Sequence, residues 1–208
     1  MPVTTNQPVR RLFPVYILVD ASGSVNEDGK WKIIDELLTQ FLKHLKDSPD
    51  PDFEIVFSLL LMQGGGVAVE YESSPIEKIE IRDLVAGGVS SYSIGLEKLA
   101  ELLDRAQFPK SAHLPCILLI GDGHVDSEYQ NALEKCLKKQ NFSDSTRIVV
   151  EIGNDFEPSA LRKFLSSPNN FFSVMDIASM PFFYMRLASS VSNQVTQSRS
   201  RRILAEQA

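Results

Sequence analysis

Apolar runs of strand length alternate with amphipathic stripes of helical spacing along most of this chain, and that alternation leaves few architectures open. Val15 to Val19 is the first such run. Ile33, Ile34, Leu37, Leu38, Phe41, Leu42 and Leu45 then recur at helical spacing, which predicts a long amphipathic helix ending near Lys46. The prolines of Asp47-Ser48-Pro49-Asp50-Pro51-Asp52 cannot continue it, because each lacks an amide donor and restricts the residue before it. Phe53 to Met62 reads as a strand, and Gln63-Gly64-Gly65-Gly66 joins it to the short run Val67 to Tyr71, the pattern of an antiparallel hairpin.

Pro75 to Val85 reads as short strand and loop. A glycine and serine loop, Gly87-Gly88-Val89-Ser90-Ser91, then precedes a second helical stripe of Ile94, Leu99, Leu102, Leu103 and Ala106. The pattern recurs with a strand at Leu114 to Ile120, the loop Gly121-Asp122-Gly123-His124, and a helix over roughly Ser127 to Lys139. Arg147 to Ile152 is strand-like, Ser159 to Leu165 a short helix, Phe171 to Val174 a last strand and Pro181 to Val195 a closing helix. Strands alternating with helices pair in parallel through right-handed crossovers, so the expected fold is a doubly wound α/β sheet in which the hairpin adds one antiparallel edge strand. Periodicity does not order the strands.

With 208 residues, 43% hydrophobic and 23% charged, the chain can bury one sizeable core, and no obvious linker divides it. A net charge of −6 gives no support to nucleic-acid binding, and the local Arg199-Ser200-Arg201-Arg202 cluster reads as a solvated terminus. The first eleven residues lack the apolar core of a secretory signal and no run reaches the length of a membrane span, so a cytoplasmic protein is expected. The two cysteines, Cys116 and Cys136, have no zinc-site spacing and read as buried inert thiols.

Chemistry concentrates where strands end. Asp20-Ala21-Ser22-Gly23-Ser24 follows directly on the first apolar run, so a carboxylate and two hydroxyls are delivered together at a strand's C-terminal end. In open α/β sheets ligands bind at that edge, and small oxygen donors suit a hard cation such as Mg2+, with Ca2+ or Mn2+ as alternatives. Helix capping by the same serines and aspartate is the competing reading.

Two further loops decide between them. Asp20, Ser22 and Ser24, then Ser90 or Ser91, then Asp122 together resemble the metal-ion-dependent adhesion site of von Willebrand factor type A domains, and the resemblance covers Arg11 to about Val195. That family has an Asp-x-Ser-x-Ser turn after the first strand, a Thr in a glycine-rich loop before a central helix, and an Asp-Gly after the fourth strand. Residues 10–24 look most like the bacterial tellurite-resistance TerY type. The resemblance implies a six-stranded, mostly parallel sheet with helices on both faces, spanning residues 12–195 between an N-terminal extension, 1–11, and a polar basic tail, 196–208.

It also implies the ligands. Ser22 and Ser24 would bind the ion through their hydroxyls, while Asp20 and Asp122 would act mainly through waters and hydrogen bonds to the serines. Counting back from Leu96 puts Ser90 at the family's Thr, whereas counting forward from Gly87-Gly88 puts Val89 there; Ser90 is taken as the ligand, with Ser91 as the alternative. An ion held by few carboxylates keeps a coordination position for an Asp or Glu of a partner protein. In the TerY type that partner is expected to be a kinase or phosphatase of the same operon, in a stress-response complex.

Other classes fit less well. A phosphohydrolase using Asp20 as nucleophile would need a second Asp two positions on, where Ser22 stands; the chain has no Gly-x4-Gly-Lys-Ser/Thr phosphate loop and no Gly-x-Ser-x-Gly elbow. A scaffold domain with a degenerate metal site is the remaining alternative. His124 and Asp126 lie beside the site, and His124 is expected to face a partner rather than to catalyse; His44 and His113 are given no chemistry.

Overall fold

The computed structural model describes residues 10–47, 53–81, 84–153 and 160–174. Six strands form one sheet: β1 (Arg11–Asp20), β2 (Phe53–Gln63), β3 (Gly66–Pro75), β4 (Cys116–Gly121), β5 (Thr146–Ile152) and β6 (Phe171–Val174). Their spatial order is β3-β2-β1-β4-β5-β6, every pairing parallel except that of β2 with β3. This is the doubly wound, mostly parallel α/β sheet with one antiparallel edge strand that the alternation predicts.

Successive side chains of a strand point to opposite faces, and β1 sorts accordingly. Val15, Ile17 and Val19 pack with α1 (Lys30–Asp47), whose Ile33, Ile34, Leu37, Leu38, Phe41, Leu42 and Leu45 are all buried. Tyr16 and Leu18 pack on the other face with α2 (Tyr92–Arg105) and α3 (Tyr129–Cys136). Helices therefore cover both faces, and each buried leucine or isoleucine removed from water contributes about 1.5–3 kcal/mol before entropy is set against it.

Winding reverses between β1 and β4. From β1 the chain crosses by α1 to β2 on one side, and from β4 it crosses by α3 to β5 on the other, so the loops leaving these two neighbours diverge and open a crevice at their C-terminal ends. Asp20 ends β1, and Asp122 follows the last residue of β4.

Several boundaries differ from the sequence expectation, each for a local reason. Pro75 ends β3, and the segment beyond it contains a 3-10 turn, Ile76–Lys78, where a short strand was expected; Ile76 and Ile79 are buried against the α1 side, which wedges the segment into the core without a ladder. Ile94 was assigned to the buried stripe of α2 but is 44% exposed. Because the helix begins at Tyr92, its buried stripe is Tyr92, Leu96, Leu99 and Leu103, and Ile94 falls on the opposite side; Ala106 is the C-cap residue. The helix expected over 127–139 is divided, since Lys139 has extended backbone between α3 and the one-turn α4 (Gln140–Ser143). The short helix expected over 159–165 is a 3-10 segment, Ala160–Phe164. The closing helix expected at 181–195 and both termini lie outside the described residues.

The β2–β3 pair is irregular. Its register shifts twice between Phe57 and Leu60, and Ser73, with φ of 43°, gives its amide to Ser58 Oγ at 2.9 Å instead of to a regular ladder. The hairpin turn itself is Gly64-Gly65, both with positive φ, as the twist of a two-residue hairpin requires.

Candidate metal centre

Asp20 continues the alternation of β1 onto the α2 face, and Tyr92, the first residue of α2, meets it there. The Tyr92 hydroxyl donates to Asp20 Oδ2 at 2.8 Å, and the Ser22 amide donates to Oδ1 at 2.9 Å. Asp20 is fully buried with both oxygens accepting, so it orients the turn rather than facing solvent. Burial, followed by the charge of Asp20, pushes the Tyr92 phenol well above its ordinary value, which keeps it a donor.

The hydroxyls converge one layer further out. Ser22 Oγ hydrogen-bonds Ser24 Oγ at 2.9 Å, and Ser24 Oγ donates to Asp122 Oδ2 at 3.0 Å. Ser22 and Asp122 are buried, whereas Ser24 is exposed at the mouth. Adjacent ligands of an octahedral ion with metal–oxygen distances of about 2.0–2.1 Å lie about 2.9 Å apart, so the two serine oxygens already stand at the spacing of an octahedral edge, with Asp122 one hydrogen bond behind them. The donor set is all oxygen, which fits Mg2+, Ca2+ or Mn2+.

Asp122 collects more than Ser24. The His124 amide donates to its Oδ1 at 3.2 Å, His124 Nδ1 lies 3.1 Å from the same oxygen, and Lys30 Nζ lies 3.7 Å from Oδ2. Burial opposes its ionisation, but the amide and ring of His124 and the Ser24 hydroxyl outweigh burial and hold the carboxyl below its ordinary value. His124 itself is exposed beside the site.

Glycines let the loops close on one another. Gly23 N–H donates to Gly88 O and Gly87 N–H to Ala21 O, both at 2.8 Å, and Gly65 N–H of the hairpin turn donates to Val89 O at 2.7 Å. Gly88 has φ of +74°, and a Cβ there would lie 3.0 Å from Gly64 Cα, so only glycine suits the position. The hairpin turn is thus part of the wall of the crevice, which the sequence pattern did not indicate.

The third loop separates its two serines. Ser91 is the N-cap of α2, its hydroxyl accepting from Ile94 N at 3.4 Å and lying 3.1 Å from Ser93 Oγ. It also donates to Asp126 Oδ2 at 3.3 Å, and Asp126 accepts from the Ser93 amide at 2.9 Å. Ser91 is therefore committed to the helix end. Ser90 is half-buried and its hydroxyl makes no hydrogen bond among the described residues, neither to Asp20, Ser22, Ser24 and Asp122 nor to the cap. Four of the five expected ligands are thus joined by hydrogen bonds in one cluster around Asp20 and Asp122, and Ser90 lies in the adjoining loop.

Asp126, which the sequence left without a defined role, clamps α2 to the β4 loop. Burial works against its ionisation, but hydrogen bonds from Ser93, Glu128 and Ser91 prevail and hold its carboxyl below the ordinary value of 3.8. A carboxylate at a helix N-terminus is also favoured by the helix dipole. Because the folded value is depressed, the clamp stabilises the fold above the unfolded value and is lost as pH falls through the folded one. Urea denaturation should show Asp126→Asn less stable than the parent at pH 7, with the difference shrinking as pH drops below 3.8.

Tyr92 and Lys30 were not singled out from sequence. The signal for Lys30 was available: a lysine opening a helix opposes the helix dipole and calls for a nearby acid.

Neither a known family model nor a curated protein matches the sequence. Among solved structures, proximal thread matrix protein 1 (PTMP1) from the mussel byssus aligns with a TM-score of 0.62 at 14% identity, covering 86% of this chain and 47% of that one. A second structure of PTMP1, described as having a zinc-occupied MIDAS motif, gives 0.60 at 14% identity over 88% of this chain and 47% of that one. The pilus adhesin SpaC from Lactobacillus rhamnosus GG, in its open conformation, gives 0.68 at 10% identity over 89% and 30%. The chain spans about half the length of PTMP1 and less of SpaC. What is shared at these identities is the fold, a doubly wound α/β sheet.

Proposed function

We propose that this domain is a metal-dependent protein-interaction module, in which Ser22, Ser24 and Ser90, backed by Asp20 and Asp122, hold a divalent cation that a partner's Asp or Glu completes. The observation that carries the reading is the Ser22–Ser24–Asp122 row of oxygens, 2.9 and 3.0 Å apart, at the switch point of the sheet. The zinc-occupied MIDAS motif of PTMP1 supports a divalent ion in such a fold. Mg2+ is preferred because every donor is oxygen and few are charged. The bound ion would supply an uncompensated positive charge; the chain's own part is to hold the hydroxyls in place, with Tyr92 and the Ser22 amide fixing Asp20 behind them.

An enzyme reading finds less support. Asp20 has no face toward solvent, which argues against its use as a nucleophile. The alternative of a scaffold with a degenerate metal site draws on one observation, the ammonium of Lys30 already beside Asp122.

A partner offering an acidic side chain rests on the resemblance of the Asp20, Ser22, Ser24, Ser90 and Asp122 set, and a kinase or phosphatase of a tellurite-resistance operon on that of residues 10–24. A cytoplasmic setting agrees with two buried, unpaired cysteines whose thiols burial pushes up to about 12 at Cys116 and about 11 at Cys136, too high to be reactive. No helix among the described residues is long and apolar enough to cross a membrane.

Calorimetric titration with Mg2+ tests the site. The parent should bind, Ser24→Ala should lose at least tenfold in affinity, and Ser90→Ala should lose affinity at unchanged thermal stability. Ser91→Ala should do the reverse, losing about 1 kcal/mol of stability with its cap while keeping the ion. Binding unaffected by Ser24→Ala would overturn the reading, as would capture of the same partners from cell extract with and without chelator.

A further inference from the structure

The cluster described above contains a cation of its own. Lys30 opens α1, and its ammonium reaches back across the crevice to lie 3.7 Å from Asp122 Oδ2, the same oxygen that accepts from Ser24. Its side chain is only 17% exposed. Room for that path comes from Gly153 at the end of β5: a Cβ there would lie 3.2 Å from Lys30 Cε and 3.7 Å from its Nζ. A lysine at a helix start gains nothing from the helix dipole, and the Asp122 carboxylate offsets that cost.

We propose that Lys30 is a tethered competitor for the metal ion: its ammonium balances the buried Asp122 carboxylate in the ion-free domain and must move away from it when a divalent cation binds. This rests on the metal-site reading. A buried carboxylate with no cation nearby would strain the fold, because neutral donors alone compensate charge poorly. A divalent ion held by Ser22, Ser24 and water on Asp122 would place two further charges within a few ångströms of the ammonium, in a setting only partly screened. The two cations therefore exclude one another. Metal affinity is set below what the oxygen donors alone would give.

Titration of Mg2+ into the parent, Lys30→Gln and Lys30→Arg, with thermal denaturation of each in chelator and in excess Mg2+, tests this. Lys30→Gln should bind Mg2+ about tenfold more tightly and Lys30→Arg about as the parent does. In chelator Lys30→Gln should melt lower than the parent, and Mg2+ should raise its melting temperature by more. Binding by Lys30→Gln alone, with none by the parent, would support the proposal in its strongest form. Equal Mg2+ affinities for parent and Lys30→Gln would overturn the competition while leaving the metal site standing. Absence of Mg2+ binding in all three proteins would overturn the metal site and the proposal together.

Discussion

Gly121→Ala should lower the stability of this domain by roughly 4 kcal/mol and disorganise its carboxylate cluster, although it adds a single methyl group. Gly121 is the last residue of β4, level with the end of β1. A Cβ built on it would stand 2.1 Å from the Tyr92 hydroxyl and 2.9 Å from Asp20 Cβ, both in fully buried surroundings. Neither neighbour can yield: Tyr92 is clamped in the α2–α3 face, its ring packed edge-on against Tyr129, and Asp20 is backbone-anchored in the sheet. Displacing Tyr92 also breaks its bond to Asp20 and leaves a buried carboxylate oxygen short of a donor. For a domain of this size the melting temperature should fall by roughly 10 °C. A double-mutant cycle separates the two causes. Tyr92→Phe removes the atom that the methyl would strike first, so Gly121→Ala should cost markedly less in that background; strict additivity would mean that the Asp20 contact alone carries the clash.

The second large effect lies at the far end of the sheet from the crevice. Arg147→Met should cost about 3–4 kcal/mol, because the guanidinium is a hub of backbone hydrogen bonds. Its Nε donates to Phe164 O at 2.8 Å, and Nη1 lies within 2.8, 2.9 and 3.2 Å of the carbonyls of Phe142, Ser143 and Ser145. These carbonyls end α4, form the turn into β5 and close the 3-10 segment after it, so one side chain joins three pieces of chain. Burial lowers the arginine's pKa, yet so strong a base keeps its proton at neutral pH and all its donors with it. Arg147→Lys should recover only part of the loss, since one ammonium nitrogen cannot span from Phe164 O to Phe142 O as the planar fork does. Urea denaturation at pH 7 checks both values; a lysine variant as stable as the parent would show that charge alone matters there.

Some of this is legible in the sequence. The order of elements followed from where continuous apolar runs give way to helical spacing, and β6 falls at Phe171–Val174 as read. Strand order did not follow, because whether β4 returns beside β1 or beside β3 is decided by which helix faces pack, a long-range choice. At the site, Asp20, Ser22, Ser24 and Asp122 were legible as a motif tied to strand ends. The serine between them was not, since Ser90 and Ser91 are neighbours and only the residue at which α2 starts decides which one caps it. Tyr92 was not singled out, since its hold on Asp20 depends on the parity of β1, which sequence alone could not register against α2.

The irregular β2–β3 edge bears on how such a domain meets others. A second chain adding itself to the sheet would need an unbroken row of amides and carbonyls along β3. It would find Glu70 and Glu72 exposed on that strand and the backbone turned out of line at Ser73. Sheet-to-sheet fusion is discouraged along this flank, so a contact made there is joined through side chains and loops, which can be undone without unravelling a strand.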